Sequence, residues 1–254
     1  GPGVPDGLYT LAESNWMPYE WSINNVVMAE VLHTALGYWQ AGRADEAWKM
    51  TKGSLLAAMF MGISPGNVGS MSYLDVYRRE SQRDFGDGSG VTSRTIVEGL
   101  FGVRPDALAG ELRIEPGFPA EWDHASLRHP DVALAFKRDG ETDRYTIEQR
   151  FSKPEMVRLR LVARRDRVTA VTVDGKAVPW HAIENSVGAP RIAALAPAAA
   201  RHEIVVRWAG AMPAQKIPVG AAARFAPVTQ GEMRWLAYAE PERVELSPFR
   251  VAPV

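Results

Sequence analysis

An aromatic cluster surrounds one carboxylate near the start of the sequence, where Glu20 lies among Trp16, Tyr19 and Trp21. Such a carboxylate can accept hydrogen bonds from sugar hydroxyls while a ring stacks on the apolar face of the sugar. Burial among the rings would also favour the protonated acid, which can donate a proton. The alternative is a carboxylate that interacts with the positive end of a following helix. Asn24 is open to two interpretations, because its amide can bind hydroxyls or cap a helix.

A second group of charged residues lies in the polar stretch 62–91. Glu80 has Arg78 and Arg83 among its neighbours, and these positive charges would keep it ionised and able to accept a proton from water. Asp75 is the next carboxylate that could take this role. The alternative is an ordinary salt-bridged carboxylate in a loop. The length of the stretch without a clear element is typical of a functional loop.

Two helices position both groups. Apolar residues at helical spacing predict a first helix, which Ser22 or Asn24 caps and which ends near Gln40, with Gly42 as the stop. A second helix begins at residue 44 or 45 and ends near Gly62. Because the helices have similar lengths and a short connection, we expect an αα-hairpin with both groups at the same end. His33 lies in the middle of the first helix and is expected in its core.

Two further features adjoin the polar stretch. Asn67, in the sequence Pro-Gly-Asn, makes a turn or lines the same site. A third helix is expected from a cap at Thr92 or Ser93 to Phe101, where Gly102 stops it.

The periodicity changes to two at Leu112, and short alternating runs with turn signals predict an antiparallel β-sandwich. Asp174-Gly175 between two alternating segments predicts a hairpin. The basic run from Arg158 to Arg167 alternates with apolar residues and is expected to be the solvated face of two strands. The predicted strands cover residues 126–129, 132–137, 144–151, 156–163, 168–173 and 203–208.

The sequence thus predicts an α+β chain in three parts. Residues 1–108 form helices, 109–210 form the β-sandwich, and 211–254, rich in proline and alanine, form an extended tail that packs back on the body.

The composition excludes several classes of function. The 254 residues are 46% hydrophobic and 23% charged, as in a soluble globular protein. A net charge of −1 gives no reason to expect nucleic acid or a membrane as partner. The absence of cysteine excludes disulfides and thiol chemistry. No uncharged apolar run approaches the ~20 residues of a membrane span.

We expect no metal and no cofactor. Asp84 and Asp87 resemble half of a calcium loop, but the terminal glutamate is missing at the required spacing. The sequence GDGSG is not a phosphate-binding loop, because no strand precedes it and no lysine follows it.

Several motifs occur in an order that resembles a known enzyme family. They are PYEWSINN, DEAWK, PGNVG, RRESQRDF, VEGLFG and PGFPAEWDHASLRHPD. Their order over about residues 10–210 resembles the C-terminal part of a six-hairpin (α/α)₆-barrel glycosidase, in a bacterial branch of the α-L-rhamnosidase-like enzymes. Gly90, Glu98, Leu100 and Gly102 match the last inner helix of that barrel. The following strand and proline turn match the start of its β-sandwich.

The resemblance implies a glycoside hydrolase, inverting in mechanism, that acts on an oligosaccharide derived from a polysaccharide. In these barrels the base comes from the loop before the last inner helix, which implies Glu80, with Asp75 next. It also implies contacts to the substrate from Trp16, Tyr19, Glu20, Trp21, Asn24, Asn67 and Arg78. The string Trp-Glu-Arg-Trp of some rhamnosidases is absent here.

Three helices are only part of a twelve-helix barrel, so we expect the chain to be a C-terminal portion that needs the remainder of the barrel, from the same protein or a companion chain. The general acid would lie in that remainder. The expected location is the periplasm or the exterior of a bacterium, with the cytoplasm left open.

Two other functions stay open at this point. One is a non-catalytic subunit that binds carbohydrate or acts as a scaffold. The other is a polysaccharide lyase of toroid-plus-sandwich architecture, in which Tyr73 or Tyr77 would act with Arg78 beside a uronate.

Overall fold

The computed structural model describes residues 25–60, 73–75, 81–82, 87–184, 186, 189–213, 223–229 and 232–237. The chain divides into two compact units. The helical unit comprises Gly1–Leu100 with Phe118–Ala120, and the sheet unit comprises Phe101–Gly117 with Glu121–Val254. Three helices are followed by sheets that are mostly antiparallel, so the fold class is α+β.

The predicted helical hairpin is confirmed. Helix α1 (Met28–Gln40) and helix α2 (Ala44–Phe60) pack together and are joined by a short turn. Gly42 ends α1 with φ 74°, in the left-handed region that glycine adopts without strain. The hairpin buries one face of each helix, so burial of apolar surface stabilises it. The buried side chains include those of Ala29, Leu32, Leu36, Trp39, Ala47 and Met50.

The start of α1 differs from the prediction. Residues 25–27 are not helical but form strand β1 (Asn25–Val27), which pairs antiparallel with β2 (Tyr73–Asp75). Strand β2 also pairs with β3 (Ser81–Gln82). Two consecutive β-branched valines favour the extended conformation. His33 is exposed on α1, so the prediction of a core histidine was wrong.

The third helix begins earlier than its predicted cap. Helix α3 (Asp87–Arg94) continues as a π-helical segment (Thr95–Leu100). The hydroxyls of Thr92 and Ser93 donate to the carbonyl oxygens four residues earlier, at 2.7 and 3.0 Å, instead of capping a helix.

The π-helical segment packs on α1 through a glycine. A Cβ placed on Gly99 would lie 2.8 Å from Cζ3 of Trp39, whose side chain is buried. The close approach of this helix to the indole therefore requires glycine at position 99.

We expect Gly99→Ala to lower the free energy of unfolding by about 1–3 kcal/mol, because the added methyl group would clash with the ring of Trp39. Urea unfolding measures the change. Gly37→Ala is the matched control, since α1 leaves open space at that glycine. The control should raise stability by roughly 0.5–1 kcal/mol. Equal stability of the two variants would contradict the packing described for Trp39.

The larger sheet of the sheet unit is antiparallel. Its strand order is β15-β16-β10-β14-β8-β7-β6, with β11 paired to β10. The strands are β6 (His124–Arg128), β7 (Val132–Asp139), β8 (Thr142–Gln149), β10 (Arg167–Val173), β11 (Lys176–Ala177), β14 (Arg201–Ala209), β15 (Ala223–Thr229) and β16 (Glu232–Ala237).

The smaller sheet has the order β12-β13-β9-β5-β4. Its strands β5 and β9 are parallel, which departs from the predicted all-antiparallel pattern. Pro105 lies in β4 at the edge of the sheet, where a residue without a backbone N–H is tolerated because no further strand has to accept a hydrogen bond from it. The strands are β4 (Val103–Asp106), β5 (Glu111–Ile114), β9 (Met156–Val162), β12 (Trp180–Ala182) and β13 (Arg191–Ala196).

Alternate residues of both sheets form the buried core. In β9 Val157, Leu159 and Leu161 are buried and alternate with residues that are at least partly exposed, and β8 has the same alternation. The largest fully buried apolar side chains are Leu112, Ile114, Leu159 and Ile192 in the smaller sheet and Leu134, Ile147 and Ile204 in the larger. This pattern is compatible with two layers that bury one face each.

The six predicted strand runs all overlap strands, with ends that differ by at most two residues, and the hairpin at Asp174-Gly175 is confirmed. Both turn residues have positive φ, 50° and 79°, as a tight hairpin turn requires. The strands β4, β13, β15 and β16 were not predicted. The last two lie in the segment predicted as an extended tail, and β16 pairs with β10 through Arg167 and Glu232.

None of the described helices is long and apolar enough to cross a membrane.

Candidate functional site

The small sheet of the helical unit joins the two stretches that were expected to share one end. Asn25 is the Cα partner of Asp75 in the β1–β2 ladder. Ser81, the residue after Glu80, is the partner of Leu74 in the β2–β3 ladder. The segment that leads into α1 is therefore hydrogen-bonded to the polar stretch that follows α2.

Most predicted site residues lie outside the described part of the chain. Asp75 lies on β2, and its place in the ladder is defined by its backbone. The residues outside the described ranges are Trp16, Tyr19, Glu20, Trp21, Asn24, Asn67, Arg78 and Glu80. Their roles stay predictions.

The sheet unit holds a buried carboxylate that sequence reasoning missed. Asp143 on β8 has a side chain that is only 3% exposed. The Nε of Arg138 donates to its Oδ1 at 3.0 Å, and the indole N–H of Trp208 donates to its Oδ2 at 2.9 Å. Arg164 lies 3.4 Å from Oδ2. Because protein donors surround both oxygens, we interpret Asp143 as a structural anchor and not as a reacting group.

The ring of Tyr145 adjoins this anchor. Burial raises the pKa of the Tyr145 phenol well above 10.0, and the negative charge of Asp143 raises it further. The ring also stacks on Phe136, with 5.2 Å between the centroids. Tyr145 is therefore a neutral core residue and not a base.

The smaller sheet carries a second charged group, which we call the arginine face. It comprises Arg104, Arg113, Arg158, Arg160 and Arg191 together with Glu111 and Glu115. These residues alternate along their strands with core residues such as Leu112 and Leu159, so they lie on the opposite face of the sheet.

Ion pairs hold the arginine face together at two points. Glu111 lies 2.8 Å from Nε of Arg158 and 3.6 Å from the guanidinium of Arg113. Glu115 lies 3.3 Å from Arg191 and 3.5 Å from Arg160. The predicted solvated face is therefore a cross-strand network in which several groups are partly buried.

The pKa of Arg191 reports the density of positive charge. Burial lowers the pKa of its guanidinium from its ordinary value, while the charge of Glu115 opposes this shift. Repulsion from Arg160 and Arg104 lowers the pKa further. The sequence held a signal for this cluster, because ELRIE and VRLRLV both place charges at alternate positions. The missing information was the parallel pairing that sets the two runs side by side.

A third polar contact fixes the β10–β11 turn. Asp174 accepts a hydrogen bond from the backbone N–H of Glu203 at 2.8 Å. Its other oxygen lies 2.8 Å from Nδ1 of the buried His202, whose Nε2 faces the carbonyl oxygen of Pro197. The Glu203 N–H and then the His202 bond hold the pKa of Asp174 below its ordinary 3.8.

We expect this turn to weaken in acid. A depressed carboxylate pKa contributes stability above the unfolded value of 3.8, and this contribution is lost as the pH falls through the lower folded value. Urea unfolding at pH 5 and at pH 3 should show a smaller acid loss for Asp174→Asn than for the wild type. Asp139→Asn, an exposed position, is the control and should follow the wild type. An unchanged pH dependence in Asp174→Asn would contradict this role.

The described residues contain no group of three or more His, Asp or Glu side chains that could hold a metal ion. No family model matches the chain. No curated protein is significantly similar to it in sequence.

Proposed function

We propose that this chain is the C-terminal portion of a glycoside hydrolase with an (α/α)₆ barrel, followed by a β-sandwich. In this proposal α1, α2 and α3 are the last helices of the barrel, and the two sheets of the sheet unit are the two layers of the sandwich. The substrate is an oligosaccharide derived from a polysaccharide. The enzyme works in the periplasm or outside a bacterial cell.

The observation that carries the proposal is the β1–β2 ladder. It connects Asn25, which directly follows the aromatic and carboxylate segment, to Asp75 in the polar stretch. A sugar site needs stacking rings, hydroxyl-binding amides and carboxylates within one cleft. The pairing supports such a cleft, because it ties together the two segments that contain these residue types.

In the proposed reaction Glu80 acts as the general base. It accepts a proton from water, and the oxygen of that water forms a bond to the anomeric carbon while the glycosidic bond breaks. A carboxylic acid from the remainder of the barrel gives its proton to the leaving oxygen. Inversion requires the two carboxyl groups to stand about 6.5–9.5 Å apart, which leaves room for the water. The residues proposed to hold the sugar are Trp16, Tyr19, Glu20, Trp21, Asn24, Asn67 and Arg78.

The test uses the complete gene product and a panel of neutral and acidic oligosaccharides. New reducing ends without an unsaturated product are the expected result. Absorbance of an unsaturated uronate would overturn the proposal in favour of a lyase. Saturable binding without turnover on every substrate would overturn it in favour of a binding subunit.

The partner required by the proposal can be tested separately. Native mass and N-terminal sequencing of the purified material should reveal a polypeptide that carries the remaining barrel helices, on this chain or on a companion. A lone, stable species of 27.9 kDa from the intact gene would contradict this assembly.

A further inference from the structure

The arginine face carries an excess of positive charge. Five arginines stand against three carboxylates, those of Glu111, Glu115 and Asp106, the β4 partner of Glu111, whereas the whole chain has a net charge of −1. Positive charge is therefore concentrated on one face of the smaller sheet, as in surfaces that attract anions.

Strand register sets three of these arginines in one row. Arg104 is the partner of Arg113 in the β4–β5 ladder, and Arg113 is the partner of Arg158 in the β5–β9 ladder. Because neighbouring strands are about 4.8 Å apart, the row extends over about 10 Å. Like charges directly opposite each other on a sheet are destabilising, so this row gains from a negative partner.

The internal carboxylates compensate this row incompletely. Glu111 bonds closely to Arg158 but only loosely to Arg113, at 2.8 and 3.6 Å. The long contact with Glu111 is the only ion pair of Arg113 among the described residues, and the Arg113 side chain is partly exposed. The terminal nitrogens of its guanidinium can therefore donate to a group from outside the chain.

Partial burial makes this row a stronger binding surface than free arginines would be. The side chains of Arg113 and Arg158 are 36% and 35% exposed. They remain accessible, yet they have lost part of their hydration, and a guanidinium in this setting binds a carboxylate in a charge-assisted, directional manner. The exposed apolar side chains of Met156 and Leu195 flank the row in the same sheet.

We propose that the arginine face binds a carboxylate-bearing polysaccharide, a polyuronate, in addition to the substrate held at the hydrolytic site. Repeated carboxylates match the row of guanidinium groups. Met156 and Leu195 offer apolar contacts to the sugar rings. The choice of a saccharide over other anions rests on the proposed function, while the preference for an anion rests on the arginine face alone.

Binding of polygalacturonate to the purified chain, measured by calorimetry in low salt, tests the proposal. Binding is expected with polygalacturonate and not with neutral dextran. It should weaken severalfold when the salt is raised from about 50 to 300 mM, because screening reduces charge attraction. Poly-L-glutamate of matched charge should bind at least about tenfold more weakly, since it offers no sugar rings. Equal or tighter binding of poly-L-glutamate would identify an acidic peptide as the ligand and overturn the proposal, as would no binding of polygalacturonate.

Two variants change the affinity in opposite directions. Arg113→Gln should weaken polygalacturonate binding about tenfold, because it removes one charge-assisted contact. Glu111→Gln should tighten it severalfold, because it removes a competing carboxylate, and a folding defect would not produce this gain. Arg207→Gln, an exposed arginine on β14 of the larger sheet, is the matched control and should stay within about twofold of the wild type. Unchanged affinity in both Arg113→Gln and Glu111→Gln would overturn the proposal.

The failure of this inference differs from the failure of the proposed function. Release of reducing sugar by the complete protein without binding of polygalacturonate to the arginine face would overturn the inference alone. Binding that follows the two variants, without turnover of any oligosaccharide, would overturn the hydrolase and retain the inference.

Discussion

Glu80→Gln in the complete protein is expected to lower the turnover number about 10²–10⁴-fold, the usual contribution of a general base. Glutamine keeps the size of the side chain but cannot accept a proton from water. The acid limb of the pH–rate profile should also disappear, because it reports the ionisation of the base. Steady-state kinetics between pH 4 and 8 on the best oligosaccharide of the panel measures both effects.

Asp84→Asn is the matched control for this experiment, because it removes a carboxylate from the same polar stretch without removing the proposed base. Its turnover should stay close to that of the wild type. Near-normal turnover in Glu80→Gln would move the assignment of the base to Asp75 or Glu20. Parallel unfolding curves for all variants establish that the kinetics do not reflect a loss of fold.

Asp143→Ala is expected to lower the free energy of unfolding by about 3–5 kcal/mol, the usual result of breaking a buried ion pair. Arg138 and Trp208 would lose the acceptor of their hydrogen bonds, and Arg164 would lose the carboxylate of its ion pair. The guanidinium charges of Arg138 and Arg164 would remain partly buried. Chemical unfolding followed by tryptophan fluorescence measures the effect, and Trp208 itself reports on the site.

Two further variants define the origin of this loss. Asp139→Ala removes an exposed carboxylate near the same hairpin and should change stability by less than about 0.5 kcal/mol. Trp208→Phe removes one N–H donor and part of the ring but keeps both ion pairs, so it should cost less than Asp143→Ala. A loss in Asp143→Ala no larger than in Asp139→Ala would contradict the anchoring role.

Local signals in the sequence were sufficient for much of the architecture. Gly42 ended α1 where predicted, because a left-handed residue is a local requirement. Asp174-Gly175 predicted its hairpin for the same reason. The alternation of β7, β8 and β9 predicted their buried faces.

The features that sequence analysis missed depend on distant partners. Strand β1 is extended because it pairs with β2, and nothing local to Asn25 specifies that partner. Strand β13 is buried at five of its six positions, so its sequence RIAALA lacks the alternation that identifies half-buried strands. The charged residues of β5 and β9 were visible, but their proximity depends on a pairing across a long stretch of chain.

The parallel pairing of β5 with β9 has a consequence for the kinetics of folding. The segment 115–155 leaves the smaller sheet, forms β6, β7 and β8 of the larger sheet and then returns as β9. Closing so long a loop loses chain entropy before the β5–β9 contacts can compensate. We therefore expect the local β6–β7–β8 meander to form before β9 pairs with β5. On this expectation the smaller sheet, and with it the arginine face, is completed late in refolding.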